Sequence, residues 1–98
     1  MQKALEFPNL FYVVPLENYA ILLFYDDNIS GKIELIHLLN KGVFKKWDNL
    51  EFFNNVKLNL ENGAIVWGNT IEICPNAMYL KLIGKNFEEW EKSKLEFA

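Results

Sequence analysis

Short apolar runs, broken by Asn, Asp and Gly, alternate along this chain in the manner of brief strands joined by tight turns. Phe11-Tyr12-Val13-Val14-Pro15-Leu16 reads as a strand. Pro15 has no N–H to give a ladder, so it marks the end of that strand or an edge position. Glu17-Asn18 turns the chain. Tyr19-Ala20-Ile21-Leu22-Leu23-Phe24-Tyr25 is apolar at both parities, which predicts a central strand covered on both faces. Asp26-Asp27-Asn28 is a turn of residues that tolerate left-handed backbone. Ile29 to Leu35 then returns with Ile29, Ile33 and Leu35 on one parity, completing an antiparallel meander of three strands.

The period then lengthens. Ile36 to Asn40 reads as a short helical turn stopped by Gly42. Asp48 and Glu51 have the spacing of a capping box, opening a helix that runs to about Asn55 with Phe52 and Phe53 as its bulky contacts. Asn62-Gly63 fits a two-residue type I′ turn. That turn pairs Glu61 with Ala64, Leu60 with Ile65, Asn59 with Val66 and Leu58 with Trp67. Leu58, Leu60, Ile65 and Trp67 then share a buried face extended by Val56, with Lys57 and Asn59 outside. Ile71-Glu72-Ile73 is a short extension. Pro75 suits the first position of a helix built on Ala77, Met78, Leu80, Leu82 and Ile83, and Gly84 ends it. A last helix follows, with Glu early and Lys late and a narrow apolar stripe of Phe87, Trp90 and Leu95. The expected fold class is α+β: the three-stranded meander, short helices, an Asn-Gly β-hairpin and C-terminal helices. It forms one domain over 1–98, with a core at about 10–82 and a helical extension over 86–95.

Composition narrows the chemistry. The chain has 98 residues, and 51% of them are hydrophobic, enough for a core. Eight Phe, four Tyr and three Trp exceed what that core needs, and the surplus points to a surface that meets another chain. All ten basic residues are Lys, and the net charge is −3. Without arginine's planar fork, direct nucleic-acid binding is disfavoured. One Cys makes no internal disulfide, which fits a reducing compartment. No apolar run is long enough for a signal-peptide core or a membrane helix, so a cytoplasmic protein without membrane contact is expected.

Nucleophiles and metal ligands are scarce: two Ser, one Thr, one Cys and one His. Cys74 precedes a proline-opened helix, where a thiol is activated, but its apolar neighbours favour a small buried hydrophobe. His37 lacks a second ligand nearby, so no metal site is expected. Asp26 and Asp27 point apart in an extended chain, and a turn role explains both. Trp67 suits the core more than a ligand platform. The residues therefore imply no catalytic, cofactor-binding or metal site. They single out Phe87, Trp90 and Leu95 as a stripe that either caps the domain's own core or forms a protein interface with a second chain.

The order of motifs resembles a known bacterial family. Pro15-Leu16-Glu17-Asn18-Tyr19 leads into an apolar strand and Tyr25-Asp26-Asp27-Asn28. Glu34-Leu35, Leu38-Leu39 and Gly42-Val43-Phe44 follow, then Trp47-Asp48-Asn49-Leu50-Glu51-Phe52-Phe53-Asn54-Asn55-Val56. Gly63-Ala64-Ile65-Val66-Trp67 precedes Ile71-Glu72-Ile73-Cys74-Pro75 and Leu80. Over roughly residues 10–82 this resembles the domain of unknown function 2442. The resemblance implies a small α+β domain found alone or ahead of a helix-turn-helix module, in some genomes beside another small protein in toxin–antitoxin-like arrangements. It brings no catalytic residue. This chain departs from the pattern at Cys74, and no helix-turn-helix module is expected after residue 84.

The expected function is a non-enzymatic interaction or regulatory module, a member of a bacterial toxin–antitoxin-like pair, that binds another protein or forms a homodimer without a cofactor. A phage-encoded inhibitor of a bacterial protein and a small enzyme using carboxylates are the alternatives.

Overall fold

The computed structural model describes residues 7–96, with side chains described as far as residue 93. Strands β1 (Leu10–Leu16), β2 (Ala20–Tyr25) and β3 (Ser30–Glu34) form an antiparallel sheet in the order β1-β2-β3. Val13 pairs with Leu23, and Leu23 with Gly31, which fixes the rows across the sheet. Ile21, Leu23, Tyr25 and Ile33 point to one face and are buried there. Pro15 lies on the edge strand, where its missing donor costs no ladder bond to a further strand.

The β1–β2 turn takes a costly backbone. Asn18 and Tyr19 both adopt left-handed φ, 61° and 59°, a conformation worth roughly 1–2 kcal/mol for a residue with a Cβ. Two contacts offset it. The Tyr19 carbonyl accepts from the Leu35 N–H at 2.9 Å, and the Tyr19 ring meets Phe53 edge-on at 5.1 Å.

After 3-10 turns at Ile36–Leu38 and Gly42–Asp48, helix α1 spans Leu50–Asn54. Its cap is Asn49, one residue later than the capping-box spacing predicts. The Asn49 Oδ1 accepts from Glu51 N–H at 3.0 Å and Phe52 N–H at 3.3 Å. A second antiparallel sheet follows: β4 (Lys57–Leu58), β5 (Ile65–Trp67) and β6 (Ile71–Ile73) in the order β4-β5-β6. The expected extension is thus its third strand.

The Asn62-Gly63 register expected from sequence is corrected. Leu58 pairs with Ile65 and Lys57 with Val66, and the Asn59 N–H donates to the Ala64 carbonyl at 2.8 Å, so the connection closed by that bond holds four residues, Leu60 to Gly63. A type I′ turn needs positive φ at both central residues, and only Gly63 has it, at 75°. The asparagines drive the longer loop. Asn59 Oδ1 accepts from Glu61 N–H at 2.8 Å, and Asn62 Oδ1 from Ala64 N–H at 2.9 Å. Gly63 N–H donates to the Asn59 carbonyl at 2.7 Å. The shift is by two residues, so side-chain parity survives: Ile65 and Trp67 are buried and Lys57 is exposed. Leu60 does not join them. It sits in the loop, 97% exposed.

Helix α2 (Pro75–Ile83) opens on the expected proline and closes at Gly84, whose φ of 70° lets its N–H bond back to Leu80 and Lys81. It packs beside β3 on the inner side, where a Cβ on Gly31 would meet Leu82 Cδ2 at 2.7 Å. Helix α3 (Phe87–Glu96) starts with a reciprocal box that the sequence reading lacks. Asn86 Oδ1 accepts from Glu89 N–H at 2.8 Å, while Glu89 Oε1 accepts from Asn86 N–H at 3.0 Å.

The core centres on Trp47, Phe53 and Trp67, each fully buried. Trp47 lies 4.9 Å from Trp67 and 5.1 Å from Phe53 between ring centroids. The Trp67 indole N–H donates to the Phe53 carbonyl at 2.8 Å. The Trp47 N–H, among the rings of Phe44, Phe53 and Trp67, finds no acceptor among the described residues.

That contrast generates a paired prediction. Trp67→Phe breaks a buried bond and strands a carbonyl, whereas Trp47→Phe removes a donor that has no partner. Urea denaturation should therefore show Trp67→Phe to be the more damaging by ~1–2 kcal/mol, and equal losses would contradict the bond's importance. Leu60→Asn, in contrast, should change stability by no more than about 0.5 kcal/mol. A loss of several times that would restore the two-residue turn.

Candidate interaction surface

Strand β2 is central as expected, and on its outer row Ala20 is buried, but the expectation that the whole strand is covered on both faces is corrected at the other two positions of that row. Leu22 and Phe24 are only partly buried there, beside Tyr12 and Val14 of β1 and Ser30 and Lys32 of β3. Helix α2 lies against the opposite face, with Leu82 beside Gly31. The double-sided apolar pattern of β2 thus records a second apolar surface left open.

A β-bulge sharpens this surface. Leu10 pairs with Tyr25 but Tyr12 with Phe24, so Phe11 is an extra residue in β1. An inserted residue bends its strand and re-aims side chains. Leu10 turns inward and is buried, while Phe11 and Tyr12 stand 61% and 57% exposed. Both flank Phe24, at centroid separations of 6.4 Å and 5.7 Å. Aromatic side chains of this kind supply large contact area for little lost rotamer freedom. Lys32 and Glu34 border them on β3, paired at 3.8 Å and well exposed. An apolar patch with a polar rim is what a docking partner needs.

The other candidates separate in space. Asp26 and Asp27 do not act as a pair. Asp26 accepts from the Asn9 backbone N–H at 3.0 Å and the Asn9 side-chain amide at 3.2 Å. Asp27 accepts from Ile29 N–H at 3.0 Å and from the Tyr79 hydroxyl at 2.6 Å. His37 is exposed at a cleft of about 490 Å³ beside Lys32, Glu34 and Lys81. Cys74, expected to be buried, is exposed. It is the residue before α2, in extended backbone (φ −71°, ψ 122°). Among the described residues no three His, Cys, Asp or Glu side chains gather as a metal site.

The tail stripe divides. Trp90 is 2% exposed, its ring stacked on Phe7 at 4.1 Å. This contact anchors α3 on its own domain. Phe87 remains 48% exposed, and the Leu95 side chain lies outside the described residues.

Tyr79, absent from the expected helix face, is its most buried side chain. Its spacing of four from Pro75 and of three and four to Leu82 and Ile83 is the signal that finds it. Tyr25 meets it edge-on at 5.1 Å and donates its hydroxyl to the Pro75 carbonyl at 2.6 Å. Burial, then the hydrogen bond and negative charge of Asp27, push the Tyr79 pKa up to about 12. Burial foremost, then the neighbouring Cys74, Asp27 and Tyr79, also raises that of Tyr25.

These features define a small α+β domain of two three-stranded sheets, presenting one exposed aromatic face. Residues 12–84 match the family described as protein of unknown function (DUF2442), and the chain belongs to that family. The match takes in α2 and both sheets except Leu10 and Phe11 at the start of β1. Comparison with curated proteins and with solved structures finds no match. No helix among the described residues is long and apolar enough to cross a membrane.

The tyrosines predict an alkaline transition. Both folded-state pKa values exceed the unfolded value near 10. Their contribution is therefore complete below about pH 10 and is lost as pH rises through the folded values. The urea midpoint should fall from pH 10 towards 12, and Tyr79→Phe should flatten that fall while costing ~1.5–3 kcal/mol at neutral pH through the lost bond to Asp27. A midpoint that holds steady across the interval, with both phenols ionised by ultraviolet absorbance, would contradict this.

Proposed function

We propose that this protein is a non-enzymatic interaction module with a regulatory role, one member of a bacterial toxin–antitoxin-like pair, that acts by holding another protein chain. The observation that carries the reading is the aromatic group Phe11, Tyr12 and Phe24, raised on a bulge at the open face of the first sheet. Two large rings more than half exposed on a rigid strand are costly to leave in water and well suited to a hot spot. The carboxylates lend support. Asp26 and Asp27 are spent on turn and tyrosine bonds, which leaves neither poised as half of an acid–base pair.

The test is affinity capture from producing cells, with stoichiometry read by native mass spectrometry. The protein should retain a chain, its own or another, in a fixed ratio. Phe11→Ser together with Tyr12→Ser should cut retention at least tenfold with an unchanged circular dichroism spectrum. Full retention by the double variant would remove this face from the function.

A further inference from the structure

We propose that the outer face of the first sheet docks on the same face of a second copy of this chain, the two sheets stacking face to face with their strands antiparallel. The proposal rests on the interaction reading and names the partner.

The register carries it. Val13, Leu23 and Gly31 lie at one level across the three strands. A two-fold axis crossing the strands at that level sets each outer row over the next row of the second copy. Phe24 then lies over Leu22, and Tyr12 over Val14, in both halves. On the third strand Lys32 lies over Ser30. Apolar rows meet apolar rows, and the one exposed cation of the central rows meets a hydroxyl instead of its own image. Opposed like charges are the usual penalty of a self-association, and this register avoids them. Aligned sheets pack about 10 Å apart through side chains of this kind.

Area sets the strength. Phe11 and Tyr12 are 61% and 57% exposed, which frees roughly 240 Å² at about 200 Å² per aromatic side chain. With Val14, Leu22, Phe24 and the polar rim, the face offers on the order of 500 Å² per copy, or about 1,000 Å² for the pair. That is at the low end for specific association, below the ~1,600 Å² of a standard interface. The dimer should therefore be weak and dependent on concentration.

Sedimentation of the full chain under reducing conditions, from micromolar to millimolar, tests this. Reduction removes any disulfide through Cys74. A reversible monomer–dimer equilibrium is expected. Tyr12→Glu and, separately, Phe11→Ser should each weaken it at least tenfold without lowering the melting temperature. Phe87→Glu, on the tail, should leave it unchanged. A full chain that stays monomeric throughout overturns the self-docking, as does a dimer indifferent to both sheet variants or one broken by Phe87→Glu. The interaction reading is judged separately. If the chain is monomeric but Tyr12→Glu still releases a different captured protein, the face is an interface for that protein and only the self-docking fails.

Discussion

The packed rings of Trp47, Phe53 and Trp67 join the two sheets in one core, and the hydrogen bond from the Trp67 indole N–H to the Phe53 carbonyl fixes how they sit. Trp67 belongs to β5 of the second sheet, and Phe53 to α1. The Phe53 ring meets Tyr19, at the turn that starts the central strand of the first sheet. Trp47 wedges against both from the 3-10 segment. Four chain segments thus converge on three rings. Each aromatic pair contributes about 0.5–1.5 kcal/mol beyond its buried area, and the bond directs how the rings sit. The left-handed Tyr19 follows from this, since its ring must reach Phe53 while its carbonyl meets Leu35.

Concentrating the packing on one side of the first sheet has a consequence for the other. The inner face receives the core rings and α2, with Gly31 leaving room for Leu82. The outer face keeps Val14, Leu22 and Phe24 only partly buried, and the bulge at Phe11 adds one more exposed ring beside Tyr12. A sheet stabilised from one side can afford an open second face, and an open apolar face on a rigid scaffold is a place for a partner.

The backbone plan was legible in the sequence because alternation, proline and glycine act locally. The meander, the Pro75 start and the Gly84 stop all follow from single-residue stereochemistry, and the family resemblance follows from motifs within these elements. The misses arise where a side chain competes with the backbone. Asn59 and Asn62 bind nearby N–H groups and lengthen a loop that Asn-Gly alone would close in two residues. Asn49 takes the cap that the Asp48–Glu51 spacing assigned one residue earlier. In the tail stripe, for which self-packing and an interface were both open, Trp90 packs on Phe7, a contact between the two ends of the described chain that no local pattern reveals. The bulge was hidden for a related reason. Phe11-Tyr12 fits plain alternation, and only the pairing of Leu10 with Tyr25 shows the extra residue. Two-sided hydrophobicity in β2 was real, but it signalled an open surface as readily as a covered one.

Hydrogen exchange at the Trp67 indole N–H tests the central claim most directly. If the ring core around Trp67 joins the sheets, that proton exchanges only when the whole domain unfolds, at the same opening free energy as the slowest amides of β2 and β5. Exchange through a local opening, with Trp67 losing its proton while those strand amides stay protected, would show that the sheets are held together by something else.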